Sequence, residues 1–202
     1  IHPTLHNLLT PRGAKVRDGR LWSKYIDMAI ERYGKLVEVS FGTHHWPTWG
    51  NAAIVAYWEG QRDLYKFIHD QTLHYVNLGY TMEEIPETIA IPESLVRSAA
   101  NGAYYGSVNY NIKAQYQYYV GWFDGNPAHL NEHPPVELAK RYVRAMGGEA
   151  SVIAQAREAY KEGDFRWVAT ILNHVVFSNP KNTEARSFLA TTYAQLAFME
   201  EN

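Results

Sequence analysis

From about residue 50 to the end of the chain, apolar side chains recur at the spacing of an α-helix, and this periodicity constrains the fold more than any other feature. The longest stripe ends at Asn77 and Gly79, residue types that commonly stop a helix. Its members are Ile54, Tyr57, Trp58, Gln61, Tyr65, Ile68 and residues 72–76. Another helical face surrounds Ile112, and Pro135 suits the first turn of a helix that Gly147 stops. The chain is therefore predicted to be mainly α.

The first fifty residues carry a different pattern. Residues 1–20 are interrupted by proline and glycine and are predicted to be a loop, and the helical stripe that follows stops at Gly34. Residues 36–41 then alternate between apolar and polar side chains, which predicts a half-buried strand. Its apolar members are Val37, Val39 and Phe41. The strand runs into a loop that contains His44, and this order is typical of the end of an α/β domain.

The last fifty residues resemble a tetratricopeptide repeat, in which small residues let two antiparallel helices approach closely. The pattern consists of Ala156, Ala159, Tyr160, Gly163, Asp164, Phe165, Ala169, Leu172, Val175, Asn179, Pro180, Ala185 and Leu189. Only one unit and a following helix can be recognised, whereas a stable array needs about three units. An ordinary helical hairpin packed on its own domain is therefore favoured over a groove that binds peptides.

Charge and composition exclude several classes of protein. A formal charge of −2 and an isoelectric point near 6.5 give no reason to expect nucleic acid as a partner. No apolar run approaches the roughly 20 residues that a membrane span needs. The chain contains no cysteine, so disulfides and thiolate metal ligands are excluded.

The His44-His45 pair is the sharpest local signal in the chain. A neutral imidazole is the commonest metal ligand in proteins, and a loop after a strand presents it well. A catalytic zinc needs about three protein ligands, however, and the other histidines offer no convincing spacing. His2 and His6 are four residues apart, but Pro3 interrupts the segment between them. From the residues alone, His44 is better explained as a hydrogen-bonded structural histidine.

A loop near the N-terminus forms a second candidate site. The amide, hydroxyl and guanidinium of Asn7, Thr10 and Arg12 can surround a tetrahedral oxyanion, because the planar fork of an arginine gives two parallel hydrogen bonds to such oxygens. In the alternative, Arg17 pairs with Asp18, and the amide and hydroxyl bond to their own backbone. The residues alone favour this alternative.

Several tyrosines surround the helical face near Ile112. They are Tyr104, Tyr105, Tyr110, Tyr116, Tyr118 and Tyr119. Most are expected to pack with the ring buried and the hydroxyl in water. One of them could offer its hydroxyl to a ligand, and an exposed aromatic stripe would suit a protein interface.

Four stretches of the chain together identify a family. They lie within residues 6–25, 41–51, 104–127 and 167–180, and include Phe41-Gly42-Thr43-His44-His45-Trp46-Pro47 and Gly121-Trp122-Phe123-Asp124-Gly125-Asn126-Pro127. The chain resembles, over almost its whole length, the linear alkyl sulfatases, which are the detergent-degrading branch of the metallo-β-lactamase superfamily.

This resemblance implies that the chain is an internal piece of a larger enzyme. Residues 1–51 are expected to be the C-terminal part of a metallo-β-lactamase-like catalytic domain, and residues 52–202 the helical, tetratricopeptide-like dimerisation domain. Such an enzyme binds two zinc ions through an HxHxDH motif, two glutamates and a later histidine, and only the later histidine is expected in this chain. The piece alone is therefore expected to be inactive, while the complete enzyme is expected to be a homodimer.

The resemblance also implies roles for single residues. The late zinc ligand matches His44, which follows Phe-Gly-Thr, with His45 as the second choice. The residues that match the sulfate-binding set are Asn7, Thr10 and Arg12 from the loop, and Tyr116 from the helical domain. The implied reaction is hydrolysis of an alkyl sulfate ester, of the dodecyl sulfate type, to alcohol and sulfate. We expect a bacterial protein, periplasmic or secreted rather than cytoplasmic.

Two other functions compete with this one. A free-standing helical adaptor would bind a peptide through its repeat-like C-terminus, but it would have no use for the loop and the histidines of residues 1–51. A different metallo-β-lactamase-type hydrolase, such as an esterase, would not need Arg12 to meet a sulfate.

Overall fold

The computed structural model describes residues 1 and 3–200, and helices dominate this part of the chain, as predicted. The elements are, in chain order, α1 (Gly19–Tyr33), β1 (Val39–Ser40), β2 (Thr48–Trp49), α2 (Asn51–Asn77), α3 (Glu84–Thr88), α4 (Glu93–Val96), α5 (Val108–Val120), α6 (Pro135–Ala145), α7 (Glu149–Lys161), α8 (Phe165–Ser178) and α9 (Thr183–Met199). None of the described helices is long and apolar enough to cross a lipid bilayer.

The chain divides into two compact units, Ile1–Gly125 (unit 1) and Asn126–Glu200 (unit 2). Unit 1 contains α1 to α5 and the two short strands, and unit 2 contains α6 to α9. The domain boundary predicted after residue 51 concerns the complete enzyme and stays a prediction.

The core of unit 1 lies between α1, α2 and α5, which pack against one another in the pairs α1–α2 and α2–α5. Ile26 of α1, Ile68 of α2 and Ile112 of α5 are all at most 7% exposed. Leu5 and Leu8, from the segment before α1, are fully buried in the same core. The N-terminal loop is therefore anchored in the core at its beginning.

Local signals in the sequence fix the ends of α1 and α2. Asp18 Oδ1 accepts hydrogen bonds from the backbone N–H groups of Arg20 (2.8 Å) and Leu21 (3.1 Å) and so caps α1. The last residue of α2 is Asn77, and Gly79 follows with a φ of +88°, in the left-handed region that favours glycine.

The strand predicted at residues 36–41 is shorter in the structure. β1 contains two residues and pairs in antiparallel with β2, so that Val39 lies opposite Trp49 and Ser40 lies opposite Thr48. The described residues form no other strand. Without a third strand beside it, a pair of strands is only marginally stable, and it therefore stays short.

The buried face of β1 is also not the predicted one. Ser40 is buried, and its Oγ lies 2.6 Å from the hydroxyl oxygen of Tyr57 on α2. Val39 is 46% exposed and Phe41 is 74% exposed. Because neighbouring side chains of a strand point to opposite faces, the hydrogen bond of Ser40 to α2 turns both apolar neighbours outward. The prediction that the apolar residues face inward is therefore wrong for Val39 and Phe41, whereas Val37 is partly buried against the core of unit 1.

Unit 2 is built around α8, which packs against α6, α7 and α9. Val152 of α7, Leu172 of α8 and Ala185 of α9 are fully buried in its core. Asn182 ties α7 to the start of α9, because its Nδ2 donates to Glu149 Oε2 (2.7 Å) while its Oδ1 accepts from the backbone N–H of Ala185 (2.9 Å). Unit 2 is therefore helical, as predicted, whereas its likeness to a tetratricopeptide repeat stays a prediction.

Candidate functional site

A polar pocket of about 390 Å³ lies in unit 1 and brings together most of the predicted site residues. Its lining consists of His6, Asn7, Thr10, Pro11, Arg12, Arg17, His44 and Tyr105. We call it the polar pocket. It holds two guanidinium groups, and no Asp or Glu is part of the lining formed by the described residues. A concave site of this charge suits an anion.

The shape of the loop places its tip in the polar pocket. The backbone N–H of Gly13 donates to the carbonyl of Thr10 (2.9 Å), and Gly13 has a φ of +107°, a conformation that favours glycine. At the base of the loop, the N–H of Arg17 donates to the carbonyl of Leu8 (2.9 Å). This turn and closing bond set the position of Arg12, which is exposed and makes no hydrogen bond or ion pair with any described residue.

Asn7 is held by the segment before α5. Its Oδ1 accepts from the backbone N–H of Ser107 (2.9 Å), so the amide nitrogen is the side-chain group that remains to donate to a ligand. The contact requires Gly106, since a Cβ there would come within 2.8 Å of backbone atoms of Leu5, His6 and Asn7.

Arg17 does not pair with Asp18, which instead caps α1. The Nη1 of Arg17 donates to the carbonyl of Asn7 (2.8 Å), and its guanidinium lies 5.6 Å from the centre of the Trp22 ring. Both contacts hold the Arg17 guanidinium at the polar pocket. Arg17 is therefore a second cationic side chain beside Arg12 in this pocket, and the sequence analysis had not selected it.

His6 lies in the wall of the polar pocket, although its spacing in the sequence had argued against a role. Its Nδ1 is 3.0 Å from the backbone oxygen of Asn7, and because a carbonyl only accepts, Nδ1 carries the proton. Burial, together with the positive charge of Arg17, lowers the pKa of His6, although the hydrogen bond to the Asn7 carbonyl opposes this shift. The ring is therefore held neutral at neutral pH.

The backbone of His6 is fixed by Tyr65, which is 1% exposed. The hydroxyl of Tyr65 accepts from the N–H of His6 and donates to its carbonyl, both at 3.0 Å. Burial raises the pKa of this hydroxyl well above its ordinary value, so it keeps the proton that it donates.

His44 reaches the polar pocket from the β1–β2 loop. Its φ of +74° is the only positive value among the described non-glycine residues. A non-glycine residue in this region is strained, and such strain tends to persist at functional sites. The His44 ring stacks on Tyr105, with the centroids 4.8 Å apart and the planes at 22°, and its centroid lies 6.2 Å from that of His6.

Tyr116 does not line the polar pocket. It is 6% exposed and belongs to the core of unit 1 with Ile112. The tyrosine that does line the pocket is Tyr105, whose ring also lies 4.9 Å from the His6 ring. Sequence reasoning included Tyr105 in the tyrosine cluster without selecting it, and the nearby Gly106 was the available signal of a close backbone approach.

The described residues do not form a metal site on their own. Nowhere in residues 1 and 3–200 do three His, Asp or Glu side chains come together in a way that could hold a metal ion. From the described residues the polar pocket receives two imidazoles, His6 and His44, whereas a catalytic zinc needs about three protein ligands. A metal here would need further ligands beyond the described residues.

An apolar pocket of about 400 Å³ adjoins the polar pocket and shares His6 with it. Its lining consists of Ile1, His6, Trp22, Tyr25, Ile26, Gly42, Thr43, Gln61 and Tyr65. We call it the apolar pocket. A cationic pocket beside an apolar one suits a ligand with an anionic head and a hydrocarbon tail.

The fold and the two pockets define a mainly helical protein with a cationic pocket beside an apolar one. Residues 81–202 match the family described as alkyl sulfatase dimerisation, which is more than half of the chain. The chain therefore belongs to the alkyl sulfatase dimerisation family, as the sequence resemblance predicted.

Relatives of known name agree with this assignment. The chain is 48% identical over 199 residues to a linear primary-alkylsulfatase of Pseudomonas sp and 47% identical over 197 residues to the alkyl/aryl-sulfatase BDS1 of Saccharomyces cerevisiae. These matches cover 98% of this chain but 30% of each relative. The solved structure of the stereoselective inverting sec-alkylsulfatase Pisa1 from Pseudomonas sp. superposes with a TM-score of 0.96 at 44% identity, over 100% of this chain and 32% of that one. The chain thus spans about a third of the length of these relatives.

Proposed function

We propose that this chain is part of a zinc-dependent alkyl sulfatase that hydrolyses alkyl sulfate esters, of the dodecyl sulfate type, to alcohol and sulfate. The observation that carries the proposal is the pairing of the two pockets in unit 1, one cationic and one apolar, which meet at His6. The named alkylsulfatases among the relatives support the same substrate class.

In this proposal the polar pocket binds the sulfate group. Arg12 and Arg17 donate charge-assisted hydrogen bonds to the sulfate oxygens, with Asn7 Nδ2 and the Thr10 hydroxyl as neutral donors. Tyr105 is better placed than Tyr116 to add a hydroxyl donor, because it lines this pocket. His6 is within the same wall and holds a proton on Nδ1.

The apolar pocket then takes the alkyl tail. An apolar cavity of about 150 Å³ holds one benzene, so by the same ratio a pocket of roughly 400 Å³ has room for about sixteen carbons. Each methylene that leaves water for such a site contributes about 0.8 kcal/mol. Trp22 and Tyr25 of α1 supply much of its wall.

The proposed metal centre is only partly present in this chain. His44 would supply one zinc ligand from its strained loop, and the remaining ligands would come from elsewhere in the complete protein. Bound zinc would neutralise charge on the sulfate and lower the pKa of a bound water. The isolated chain is accordingly expected to lack sulfatase activity.

The helices of unit 2 are proposed to serve dimerisation. The hairpin of α7 and α8 with the following α9 has the order of a tetratricopeptide unit. Large aromatic side chains remain exposed on α8 and α9, as expected for a surface that meets a second copy. They include Trp167, Phe177, Tyr193 and Phe198. The family match supports this function over a free-standing peptide adaptor.

The experiment is a sulfatase assay of the complete protein that carries this chain, with decyl sulfate as substrate. Arg12→Ala is expected to lower kcat/KM roughly 10- to 100-fold, because hydrogen bonds to charged groups contribute about 1.5–3 kcal/mol. Lys15→Ala is the matched control: it removes a cation from the same loop that does not line the polar pocket, and kcat/KM should stay within about twofold. Equal activity of Arg12→Ala and the wild type would favour a hydrolase that does not bind sulfate here.

A further inference from the structure

α5 carries two fully buried amide side chains, Asn111 and Gln115, that the proposed chemistry does not use. They are four residues apart and therefore lie on the same face of the helix. Both are 0% exposed, which is unusual for side chains of this type unless all their polar atoms are satisfied. Their partners are backbone groups of the loop that precedes α1 and of Gly19, the first residue of α1.

Asn111 holds the beginning of the loop. Its Oδ1 accepts from the backbone N–H of Leu8 (2.6 Å), and its Nδ2 donates to the carbonyl of His6 (3.1 Å). These two bonds flank Asn7, the residue whose own carbonyl receives the Arg17 guanidinium.

Gln115 holds the end of the loop in the same way. Its Oε1 accepts from the backbone N–H of Gly19 (3.0 Å), and its Nε2 donates to the carbonyl of Arg17 (2.9 Å). The approach is close enough that a Cβ on residue 19 would lie 3.1 Å from Gln115 Oε1. The glycine at the start of α1 thus suits this contact.

An amide side chain can make this pattern at any pH without carrying a charge. Each contact needs one acceptor and one donor at the end of the same side chain, and a neutral amide has both. Arg12 and Thr10 lie between the two anchor points, on a loop tip with no other regular structure to support it. The positions of both side chains therefore depend on what holds the two ends.

We propose that Asn111 and Gln115 are positioning residues for the anion site: together they clamp the two ends of the loop so that its donors converge on the sulfate. The inference rests on the proposed sulfate-binding function of the polar pocket. It assigns α5, which lies inside the segment that matches the dimerisation family, a part in building the substrate site.

The test is a comparison of Gln115→Met with Asn101→Leu in the complete protein. Methionine keeps the length of the side chain but leaves the Gly19 N–H and the Arg17 carbonyl without partners. Asn101 is a matched buried amide, 7% exposed, whose Nδ2 donates to the carbonyls of Gly60 (3.1 Å) and Leu95 (2.9 Å), away from the loop. Both variants lose buried hydrogen bonds, and only the first disturbs the loop.

Gln115→Met is expected to raise KM for decyl sulfate about 10-fold or more, with kcat changed less, because a sulfate contact made before and during the reaction acts mainly on KM. A purely structural effect would lower the active fraction, and hence kcat, at unchanged KM. Gln115→Glu should restore KM to within a few-fold of the wild type, since a buried carboxyl that stays protonated again offers one donor and one acceptor. An unchanged KM in Gln115→Met, or the same rise in Asn101→Leu, would overturn the proposal.

Two further measurements distinguish a failure of this proposal from misfolding of the variant and from a failure of the proposed function. If Gln115→Met fails to fold, Asn111→Thr takes its place, because a threonine hydroxyl is too short to reach both Leu8 and His6, and the same selective rise in KM is expected. If the wild-type protein does not hydrolyse decyl sulfate, the proposed function fails, and hydrogen exchange then tests the clamp alone. Exchange over residues 6–19 should accelerate in Gln115→Met and not in Asn101→Leu; equal exchange in both would refute it.

Discussion

The apolar pocket predicts how activity depends on the length of the alkyl chain. If the tail occupies this pocket of about 400 Å³, each added methylene should contribute about 0.8 kcal/mol, which is roughly a fourfold gain in kcat/KM. From hexyl to decyl sulfate the four added methylenes amount to about 3 kcal/mol, or roughly 200-fold. The gain should level off near about sixteen carbons, where the pocket is full.

The matching perturbation is Tyr25→Ala, which removes part of the pocket wall. Tyr25 lines the apolar pocket and is 59% exposed, so its truncation should disturb the fold little. We expect the gain per methylene to fall from about fourfold towards twofold while the activity on the shortest sulfates stays similar. Leu21→Ala is the control, because Leu21 lies on the same helix, is 41% exposed and does not line the pocket.

The assay is a series of linear alkyl sulfates, each measured with the complete protein below its critical micelle concentration. For each protein, the logarithm of kcat/KM is plotted against the number of carbons in the substrate. Tyr25→Ala should lower the slope of this line, whereas Arg12→Ala should shift the whole line downward without changing its slope. A wild-type line without slope, or a parallel shift in Tyr25→Ala, would refute the assignment of this pocket to the tail.

Two further predictions concern the loop itself. Tyr65→Phe removes the hydroxyl that bonds both backbone groups of His6 and should destabilise unit 1 by about 1–3 kcal/mol in denaturant unfolding, whereas Tyr33→Phe, at an exposed tyrosine, should change little. Because burial lowers the pKa of His6, the folded chain binds fewer protons than the unfolded chain below the ordinary histidine pKa of about 6.5, so stability should fall as the pH drops from there towards the folded pKa. An NMR titration in which His6 has its midpoint at or above the ordinary histidine value of about 6.5 would contradict this explanation.

The helices could be predicted from the sequence because their signals are local. The apolar stripe of α2, the glycine after its end and the pattern of the last fifty residues each depend on side chains within a few turns of one another. The face of β1 could not be predicted in this way, because it is decided by a hydrogen bond between Ser40 and Tyr57, which are 17 residues apart. Alternation alone gives two faces and does not say which one meets the helix.

The residues of the candidate site likewise fall into those that the sequence could predict and those whose position depends on distant contacts. Asn7, Thr10, Arg12 and His44 were selected by motif, and the structure brings all four to one pocket. Tyr116 was selected at the same time, and its helical spacing with Ile112 was equally compatible with plain packing; the structure places it in the core. Apart from the neighbouring Gly106, no local pattern marks Tyr105, because its position depends on the close approach of Gly106 to the backbone of residues 5–7, nearly a hundred residues earlier.

The family segment and the compact units do not coincide, and this has a consequence for how the domain works. The match begins at residue 81, yet unit 1 extends to Gly125, so α5 packs with the loop and helices that precede the matched segment. Through Asn111 and Gln115 this helix makes four hydrogen bonds to the backbone of residues 6–19. A substitution that displaces α5 should therefore alter sulfate binding even where no changed residue touches the substrate. Under the proposed function, the segment named for dimerisation would thus also contribute to the geometry of the substrate site, and cutting the chain at the family boundary would disturb both functions.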